Sequence, residues 1–429
     1  MNKHENKALQ HLLQYAYTQV PYYHRCFDEA GIKPEQIISE QDLIRLPILT
    51  KAEVQQNAES FLSEEYHRYP KINQIELRRT SGSTGQYLRL IWDRKDNIRS
   101  LLSLWKLRYH WYGIDPKMKF CSFYTVQYAN NKAAQLADET LFAGGRNLAF
   151  SKVGLTQERL IACYKRMLEF EPVWFDMQPS ICFLLAQAVE AEGLKPPKGL
   201  RYIELNGEML QKNQREFIEN VFGIKPVNMY GMNEVNSIAL ECEQGQMHVL
   251  QDNVIVEVLR DGVPVIGEKG EIVVTCLTNY AMPFIRYRTG DSGTLIEAPC
   301  TCGYPTYRLE LAAGRSSDYA RLSNGAKINS YVFNSIVEYT NELMGNSIKQ
   351  YQVRQRALDC FEVTLALKPA FAGWGDAIAE TFRTHINEPG LNDVQWIFKF
   401  APEILPDERT GKLKNFIPMD LETVQHERV

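Results

Sequence analysis

The stretch Thr80-Ser81-Gly82-Ser83-Thr84-Gly85 lies between a polar segment and an alternating segment with strand character. Its two glycines allow backbone conformations with positive φ, and its Ser and Thr side chains add hydroxyl donors. A loop of this kind can surround phosphate oxygens with N–H and O–H groups. No Gly-Lys-[Ser/Thr] ends the stretch, so it does not match a Walker loop. The sequence therefore predicts a phosphate-binding loop of another class, with an ordinary turn as the alternative.

Apolar strands alternate with helices in the part of the chain that follows this loop. Such alternation predicts a mostly parallel sheet that is covered by helices on both faces. Ligands of such sheets bind beyond the carboxyl ends of the strands, so site residues are expected at Asn206-Gly207-Glu208 and Tyr230-Gly231, where two strands end. The predicted strands are residues 120–126, 173–176, 202–205 and 227–229. The predicted helices are residues 131–142, 156–170, 180–192 and 211–222, after a longer one that Asp93 caps and that has Ile98, Leu101, Leu102, Trp105 and Tyr112 on one apolar face.

The length of 429 residues predicts two or three domains. Residues 1–75 have the apolar spacing of a small helical cap, and residues 248–317 have the alternation of an antiparallel, β-rich subdomain with a turn at Asp261-Gly262. Residues 318–429 follow the order β, α, β, β, α, β, which is typical of a small α+β domain. The predicted fold class is a multidomain α/β and α+β protein, with a large N-terminal domain at residues 1–317 that contains mixed sheets and helices.

The composition excludes several classes of protein. The net charge of −4 gives no electrostatic reason to expect a nucleic acid or an anionic membrane as partner. No apolar run approaches the roughly 18 residues of a membrane span, and the N-terminus lacks the apolar region of a secretory signal. The nine cysteines are scattered, which favours a reducing compartment. A cytoplasmic globular protein is the expectation.

Four further segments, taken with the opening loop, resemble the adenylate-forming superfamily, which includes acyl- and aryl-CoA ligases. They are Asn228-Met229-Tyr230-Gly231-Met232-Asn233-Glu234, Arg286-Tyr287-Arg288-Thr289-Gly290-Asp291, Gly314-Arg315-Ser316-Ser317-Asp318 and Arg409-Thr410-Gly411-Lys412-Leu413-Lys414. A more specific similarity is to the phenylacetate-CoA ligase branch and its capsule-biosynthesis (CapK-like) relatives. It lies in Pro47-Ile48-Leu49-Thr50-Lys51, Met282-Pro283-Phe284-Ile285-Arg286-Tyr287-Arg288 and Cys300-Thr301-Cys302-Gly303.

The resemblance implies an enzyme that uses ATP to activate a carboxylic acid as an acyl-adenylate. The acyl group then passes to coenzyme A, and AMP is released. Two anions must approach each other in the first step, so the site needs hydrogen-bond donors, cations and Mg²⁺. The alternative is an adenylate-forming enzyme that passes the acyl group to an amine, a hydroxyl or a carrier protein, as in surface polysaccharide biosynthesis.

The resemblance also implies roles for individual residues. Lys412, Glu234 and Thr84 would be catalytic, with Glu234 binding Mg²⁺ and Lys412 stabilising charge as the acyl-adenylate forms. The nucleotide-binding residues would be Thr80, Ser81, Gly82, Ser83, Thr84, Gly85, Gly207, Glu208, Asn228, Met229, Tyr230, Gly231, Asp291 and Arg315.

The acyl pocket is expected near Phe123, Tyr124, Asn206 and Met232. Aromatic side chains there favour an aryl or arylacetic acid, although such rings are equally common in an ordinary core. The sequence does not identify the acid, and it leaves a homodimer open.

A second metal site is predicted at Cys242, His248, Cys300 and Cys302, which the resemblance matches to zinc positions in some phenylacetate-CoA-ligase-like proteins. Four such ligands would make a structural, tetrahedral zinc site that joins the β-rich subdomain to the main domain. The alternative is four ordinary reduced residues, because the Cys-x-Cys spacing is tighter than that of common zinc fingers.

Two departures from the family pattern support other interpretations. Gln86-Tyr87 stand where relatives have Lys-Pro, and Ser317 stands where relatives have a charged hinge residue. Both weakly favour a nucleotide-binding protein without catalysis. A P-loop NTPase is disfavoured because the Walker lysine is missing.

Overall fold

The structure is a computed structural model, and it describes residues 3–68, 74–79, 88–124, 128–129, 132–133, 139–152, 155–315, 319–325, 327–384, 391, 393–405 and 413–419. The chain divides into two compact units, Met1–Leu311 and Ala312–Val429. The domain boundary that the sequence predicts, between residues 317 and 318, stays a prediction because residues 316–318 lie outside the described residues. None of the helices in these ranges has the length and the apolar character that crossing a membrane requires.

Helices and strands alternate through the first unit. Its helices are α1 Lys3–Gln19, α2 Pro21–Glu29, α3 Lys51–Gln56, α4 Ala58–Phe61, α5 Glu64–Arg68, α6 Arg94–Ser100, α7 Leu102–Tyr112, α8 Gln157–Phe170, α9 Pro179–Ala191 and α10 Lys212–Phe222, with 3₁₀ helices at Pro34–Gln36, Glu40–Arg45 and Ala143–Gly145. Its strands are β1 Ile75–Arg79, β2 Arg89–Asp93, β3 Phe120–Tyr124, β4 Tyr128–Ala129, β5 Lys132–Ala133, β6 Glu139–Phe142, β7 Asn147–Ser151, β8 Trp174–Met177, β9 Tyr202–Asn206, β10 Val227–Met232, β11 Asn236–Glu241, β12 Met247–Val249, β13 Val254–Arg260, β14 Val263–Pro264, β15 Lys269–Cys276 and β16 Tyr287–Ile296. Strand β17 Arg308–Arg315 begins in this unit and crosses the boundary after Leu311.

One large sheet dominates this unit, and it counts 13 strands among the described residues, in the order β14-β13-β15-β16-β17-β12-β11-β10-β9-β8-β3-β7-β6. Strands β7, β3, β8, β9 and β10 pair in parallel and form what we call the parallel half. Strands β11 to β17 form the antiparallel half. The predicted mixture of sheets and helices is confirmed, but the two strand arrangements share a single sheet.

Helices cover both faces of the parallel half. Trp174 and Tyr202 pack on one face in a cluster with Leu104 and Trp111 of α7. Their neighbours along the strands, among them Phe175, pack on the other face with α8, α9 and α10. Because successive side chains of a strand point to opposite faces, strands that are buried on both faces are apolar throughout.

The antiparallel half contains the predicted hairpin. Strand β13 pairs with β14 across Asp261-Gly262, and both turn residues have positive φ, at 52° and 82°. The N-terminal cap packs against this half, since Leu12 and Phe27 share an apolar cluster with Ile272. The backbone N–H of Leu49 donates to the carbonyl of Arg286 at 2.9 Å, so two segments that carry the family resemblance touch directly.

Two details of the predicted secondary structure are wrong. The sequence predicts a helix over residues 131–142, but the described part contains β5 and β6, and β6 is an antiparallel edge strand against β7. The long helix after Asp93 is interrupted at Leu101, and the expected apolar face is only partly buried, since Leu101, Trp105 and Tyr112 pack against an apolar cluster. Ile98 and Leu102 are exposed, whereas Leu104 and Leu107 are buried.

The second unit is a small α+β domain, as predicted. The elements are β18 Tyr319–Arg321, β19 Lys327–Asn329, α11 Tyr331–Leu343, β20 Ile348–Ala357, β21 Cys360–Leu367, a 3₁₀ helix at Pro369–Phe371, α12 Gly375–Thr384, β22 Gln395–Phe400 and β23 Phe416–Ile417. Helix α11 packs with α12, and the described residues include a four-stranded sheet in the order β22-β21-β20-β23.

Candidate active site and metal centre

The carboxyl end of β9 carries the predicted Asn206-Gly207-Glu208 segment. Gly207 has a φ of 81°, which favours glycine, and a Cβ atom there would lie 3.6 Å from Nε2 of Gln178. The amide of Asn206 donates to Oδ1 of Asp176 at 2.6 Å, which links the ends of β8 and β9. These contacts fix the Asn206-Gly207 segment beside the end of β8.

The side chain of Glu208 caps the N-terminus of helix α9. Its two carboxylate oxygens accept hydrogen bonds from the backbone N–H and the hydroxyl of Ser180, both at 3.0 Å. A carboxylate at this position stabilises the positive end of the helix dipole. Both carboxylate oxygens of Glu208 thus bond to the first turn of α9, and its role in nucleotide binding stays a prediction.

Tyr230 and Asp291 are brought together from distant parts of the chain. The hydroxyl of Tyr230 donates to Oδ2 of Asp291 at 2.8 Å. Tyr230 lies at a β-bulge between β10 and β11, where Gly231 passes so close to Asn236 that a Cβ atom would lie 2.4 Å from its carbonyl oxygen. This close approach requires glycine, and a bulge bends the strand that contains it.

The turn after β10 holds Glu234 in a buried position. Oε1 of Glu234 accepts a hydrogen bond from the hydroxyl of Tyr287 at 3.1 Å. The indole N–H of Trp92 donates to the carbonyl of Asn233 at 3.1 Å and fixes the same turn. Glu234 is a single carboxylate, and Mg²⁺ in phosphate-transferring enzymes is commonly held by one or two carboxylates together with substrate phosphates. Glu234 therefore fits the predicted magnesium role chemically.

A buried ion pair lies beneath these strand ends. The guanidinium of Arg108 makes two hydrogen bonds to the carboxylate of Glu204, and the hydroxyl of Tyr202 donates to the same carboxylate at 2.8 Å. Asp176 lies next to this pair, and its burial, together with the charge of Glu204, raises its pKa to about 6.

The cysteine and histidine residues predicted to bind zinc form one cluster. Their ligand atoms all lie within 4.8 Å of one another. Sγ of Cys242 lies 3.9 Å from Sγ of Cys300, and Sγ of Cys302 lies 3.2 Å from Nε2 of His248. Tetrahedral zinc, with Zn–S near 2.3 Å and Zn–N near 2.0 Å, separates its ligand atoms by roughly 3.5–3.8 Å. Three sulfurs and one imidazole at these separations fit zinc.

Strand pairing explains why residues so far apart in sequence meet. Strand β12 lies between β11 and β17, with His248 opposite Leu240 on one side and opposite Arg308 on the other. Cys242 follows β11, while Cys300 and Cys302 lie in the turn before β17. Nδ1 of His248 lies 3.1 Å from Oγ1 of Thr306, the kind of outer contact that orients a metal-bound imidazole. Burial also lowers the pKa of His248 to about 4, so its ring is neutral at pH 7.

The predicted acyl-pocket residues have different surroundings. Phe123 is buried in the apolar cluster of the parallel half, with its ring 5.7 Å from that of Phe150. Tyr124 ends β3, and Met232 packs against the cluster that contains the N-terminal cap. Phe123 and Met232 thus pack against different apolar clusters, and the acyl pocket stays a prediction.

Several predicted residues lie outside the described part of the chain. They are Thr80, Ser81, Gly82, Ser83, Thr84, Gly85 and Lys412. The backbone of Arg315 ends β17. The roles of all these residues stay predictions.

Comparison with known proteins tests the resemblance. The chain is 28% identical to the phenylacetate-coenzyme A ligase of Escherichia coli over 331 residues, which is 73% of this chain and 71% of that protein. It is 26% identical to the phenylacetate-coenzyme A ligase of Thermus thermophilus over 326 residues, 73% of this chain and 70% of that protein. The chain is a homologue of the phenylacetate-CoA ligases.

The fold of this homologue is that of acyl-CoA ligases. It superposes on 2-hydroxyisobutyryl-CoA ligase, in the postadenylation state and in complex with R3-HIB-AMP, with a TM-score of 0.76 and 22% identity, covering 99% of this chain and 90% of that one. No family model matches the chain. The predicted fold class is confirmed.

Sequence reasoning missed three polar residues in this ligase homologue. The backbone N–H and the hydroxyl of Ser180 donate to Glu208, the hydroxyl of Tyr287 donates to Glu234, and Oε2 of Glu241 accepts a hydrogen bond from the backbone N–H of Asn228 at 2.7 Å. Tyr287 lies within one of the family motifs, and Pro179 marks the first turn of α9. Nothing in the local sequence around Glu241 indicates its contact.

Proposed function

We propose that this chain is an AMP-forming acyl-CoA ligase. It activates a carboxylic acid with ATP as an acyl-adenylate and pyrophosphate, and coenzyme A then attacks the acyl carbon and releases AMP. The homology to phenylacetate-CoA ligases supports this reaction. It also favours an aryl or arylacetic acid as the substrate.

The contact between Tyr230 and Asp291 is the observation that carries the proposal. The two side chains meet at 2.8 Å beside the carboxyl end of β10, and Glu234 lies in the turn that follows. This is where ligands of parallel sheets bind. Tyr230 would lie against the adenine, and Asp291 would accept hydrogen bonds from the ribose hydroxyls. The site thus offers an aromatic surface and a carboxylate to one nucleoside.

The remaining roles concern the phosphates. The loop from Thr80 to Gly85 would hold the β- and γ-phosphates, and Lys412 would stabilise the charge between the carboxylate and the α-phosphate. Glu234 would bind Mg²⁺, which neutralises phosphate charge when it is present. The cluster of Cys242, His248, Cys300 and Cys302 would hold a structural zinc, with no role in the reaction.

A panel of carboxylic acids tests the function. Purified protein is incubated with ATP, Mg²⁺ and each acid, and pyrophosphate and AMP are measured with and without coenzyme A. We expect at least one aryl or arylacetic acid to give pyrophosphate alone, and coenzyme A to accelerate AMP release. The variant Lys412→Ala should lose most of the pyrophosphate release. An absence of acid-dependent pyrophosphate release would contradict the proposal, and AMP release that depends on an amine or a carrier protein instead would change the acceptor.

A further inference from the structure

The buried side chain of Gln178 has a carbonyl oxygen that makes no hydrogen bond to the described residues. The residue is only 7% exposed, and the oxygen without a partner there is Oε1. Buried carbonyl oxygens are nearly always paired in folded proteins, so an unpaired one needs an explanation.

The common explanation for a polar residue at this position does not apply. Gln178 is the N-cap residue of α9, but its side chain makes no capping hydrogen bond. The carboxylate of Glu208 bonds to Ser180 in the first turn of that helix instead. The carboxamide of Gln178 instead lies next to the backbone of Gly207, where its Nε2 is 3.6 Å from the position that a Cβ atom would take.

The sheet topology places Gln178 on the side of the candidate site where the acyl pocket is predicted. Strand β8, which Gln178 follows, lies between β3 and β9, whereas Tyr230 is on β10, on the other side of β9. Ser122 is opposite Asp176 in the β3–β8 pair, so the next residues of β3, Phe123 and Tyr124, run toward the same edge as Gln178. Tyr230 and Asp291, which the proposed function assigns to the nucleoside, lie on β10 and β16, farther away in the strand order, whereas Gly207, also predicted to bind the nucleotide, lies next to Gln178.

We propose that Gln178 determines substrate specificity by accepting a hydrogen bond from an O–H or N–H group on the acid. This inference rests on the proposed function and narrows it. The substrate class becomes carboxylic acids that carry a hydroxyl or amino group on the acyl side, because only a donor pairs with the Oε1 acceptor. A site that is built to pair with a donor rejects the analogue that lacks it more strongly than an apolar pocket rejects an added hydroxyl.

Pairs of acids that differ in one donor group test this proposal. The pairs are phenylacetate and 4-hydroxyphenylacetate, benzoate and 4-aminobenzoate, and isobutyrate and 2-hydroxyisobutyrate, each scored by kcat/KM for acid-dependent pyrophosphate release. In the wild-type protein we expect a preference of at least about tenfold for the donor-bearing member of the best pair. In Gln178→Leu that preference should fall to about one, while the KM for ATP stays within about twofold.

Gln187 provides the matched control. It lies on the same helix, and its Oε1 is also buried without a partner among the described residues, but it lies toward the opposite end of α9 from the site. Gln187→Leu should keep the wild-type preference. Gln178→Met serves as a second variant of similar length, and thermal unfolding identifies any variant that does not fold.

Three results would overturn the proposal. The first is a wild-type enzyme that shows no preference within any pair. The second is a Gln178→Leu variant that keeps the preference. The third is a Gln178→Leu variant that loses the discrimination between ATP and ITP. Equal use of these two nucleotides by the variant would place Gln178 next to the adenine and not next to the acid. If no acid releases pyrophosphate at all, the proposed function fails together with this inference.

Discussion

The two halves of the large sheet assemble their chemistry in different ways. In the parallel half, Asp176 and Asn206 lie near the ends of the adjacent strands β8 and β9, and Gln178 directly follows β8, so two neighbouring strand ends supply these side chains. In the antiparallel half, His248 on the central strand meets cysteines from two neighbouring connections. The comparison teaches that residues at the strand ends can change function with little effect on folding, whereas the cluster links several segments at once.

The largest effect is expected at the predicted zinc cluster of Cys242, His248, Cys300 and Cys302. Cys302→Ser should reduce zinc from about one ion per chain to nearly none, and it should lower the free energy of unfolding by several kcal/mol, because a structural zinc contributes directly to folding. Zinc is measured by mass spectrometry and stability by thermal unfolding. Cys360→Ser, which changes a half-buried cysteine of the second unit, is the control and should alter neither. Zinc-free wild-type protein of full stability would contradict the prediction.

The second effect is expected at the buried ion pair between Arg108 and Glu204, which lies in the parallel half below the strand ends. Arg108→Met should cost about 3–5 kcal/mol of unfolding free energy, because it leaves the fully buried carboxylate of Glu204 without its cation. Arg166→Met breaks an exposed pair with Glu139 and should cost less than about 1 kcal/mol. Urea unfolding compares the two. Equal losses would show that burial of the Arg108 pair does not matter.

The third effect is expected at Asp291, which lies on the antiparallel half and contacts Tyr230 of the parallel half. Asp291→Ala should lower kcat/KM for ATP about a hundredfold, roughly 3 kcal/mol, because charged hydrogen bonds to the ribose are lost. Its free energy of unfolding should change by less than about 1 kcal/mol. Glu271→Ala, which removes a half-exposed acid on the neighbouring strand, is the control for a local change of charge. An Asp291→Ala enzyme with normal use of ATP would separate this residue from the nucleotide.

The smallest effect depends on pH. The pKa of Asp176 is raised to about 6 in the folded protein, above its unfolded value near 3.9, so the folded state binds this proton more tightly. The resulting stability is complete below pH 4 and is lost as the pH rises through 6. Asp176→Asn should therefore gain about 2 kcal/mol relative to wild type between pH 4 and pH 8. Unfolding curves at both pH values check this, with Asp393→Asn, which changes an exposed aspartate of the second unit, as the control.

Much of the fold follows from local patterns. The spacing of Leu9, Leu12 and Leu13 predicts α1, and all three are fully buried. The Asp261-Gly262 pair predicts a hairpin because both residues tolerate positive φ. Residues 139–142 depart from the predicted helix, since pairing with β7 overrides their helix propensity.

The sequence predicts the positions of candidate site residues only where the sheet topology determines them. Carboxyl ends of parallel strands lie at one edge, which locates Asn206 and Tyr230 without any knowledge of side-chain contacts. The contact between Glu208 and Ser180 joins segments 28 residues apart, and no local pattern indicates it. The same holds for the unpaired carbonyl of Gln178, because a missing hydrogen bond becomes visible only in three dimensions.

Isotope transfer tests the central claim most directly. An acid labelled with ¹⁸O in its carboxylate is incubated with the enzyme, ATP, Mg²⁺ and coenzyme A, and the AMP is analysed by mass spectrometry. Formation of an acyl-adenylate predicts that AMP carries one ¹⁸O atom from the acid, because cleavage of the acyl–oxygen bond by coenzyme A leaves that oxygen on phosphorus. Unlabelled AMP, or ADP and phosphate as the products, would contradict the account.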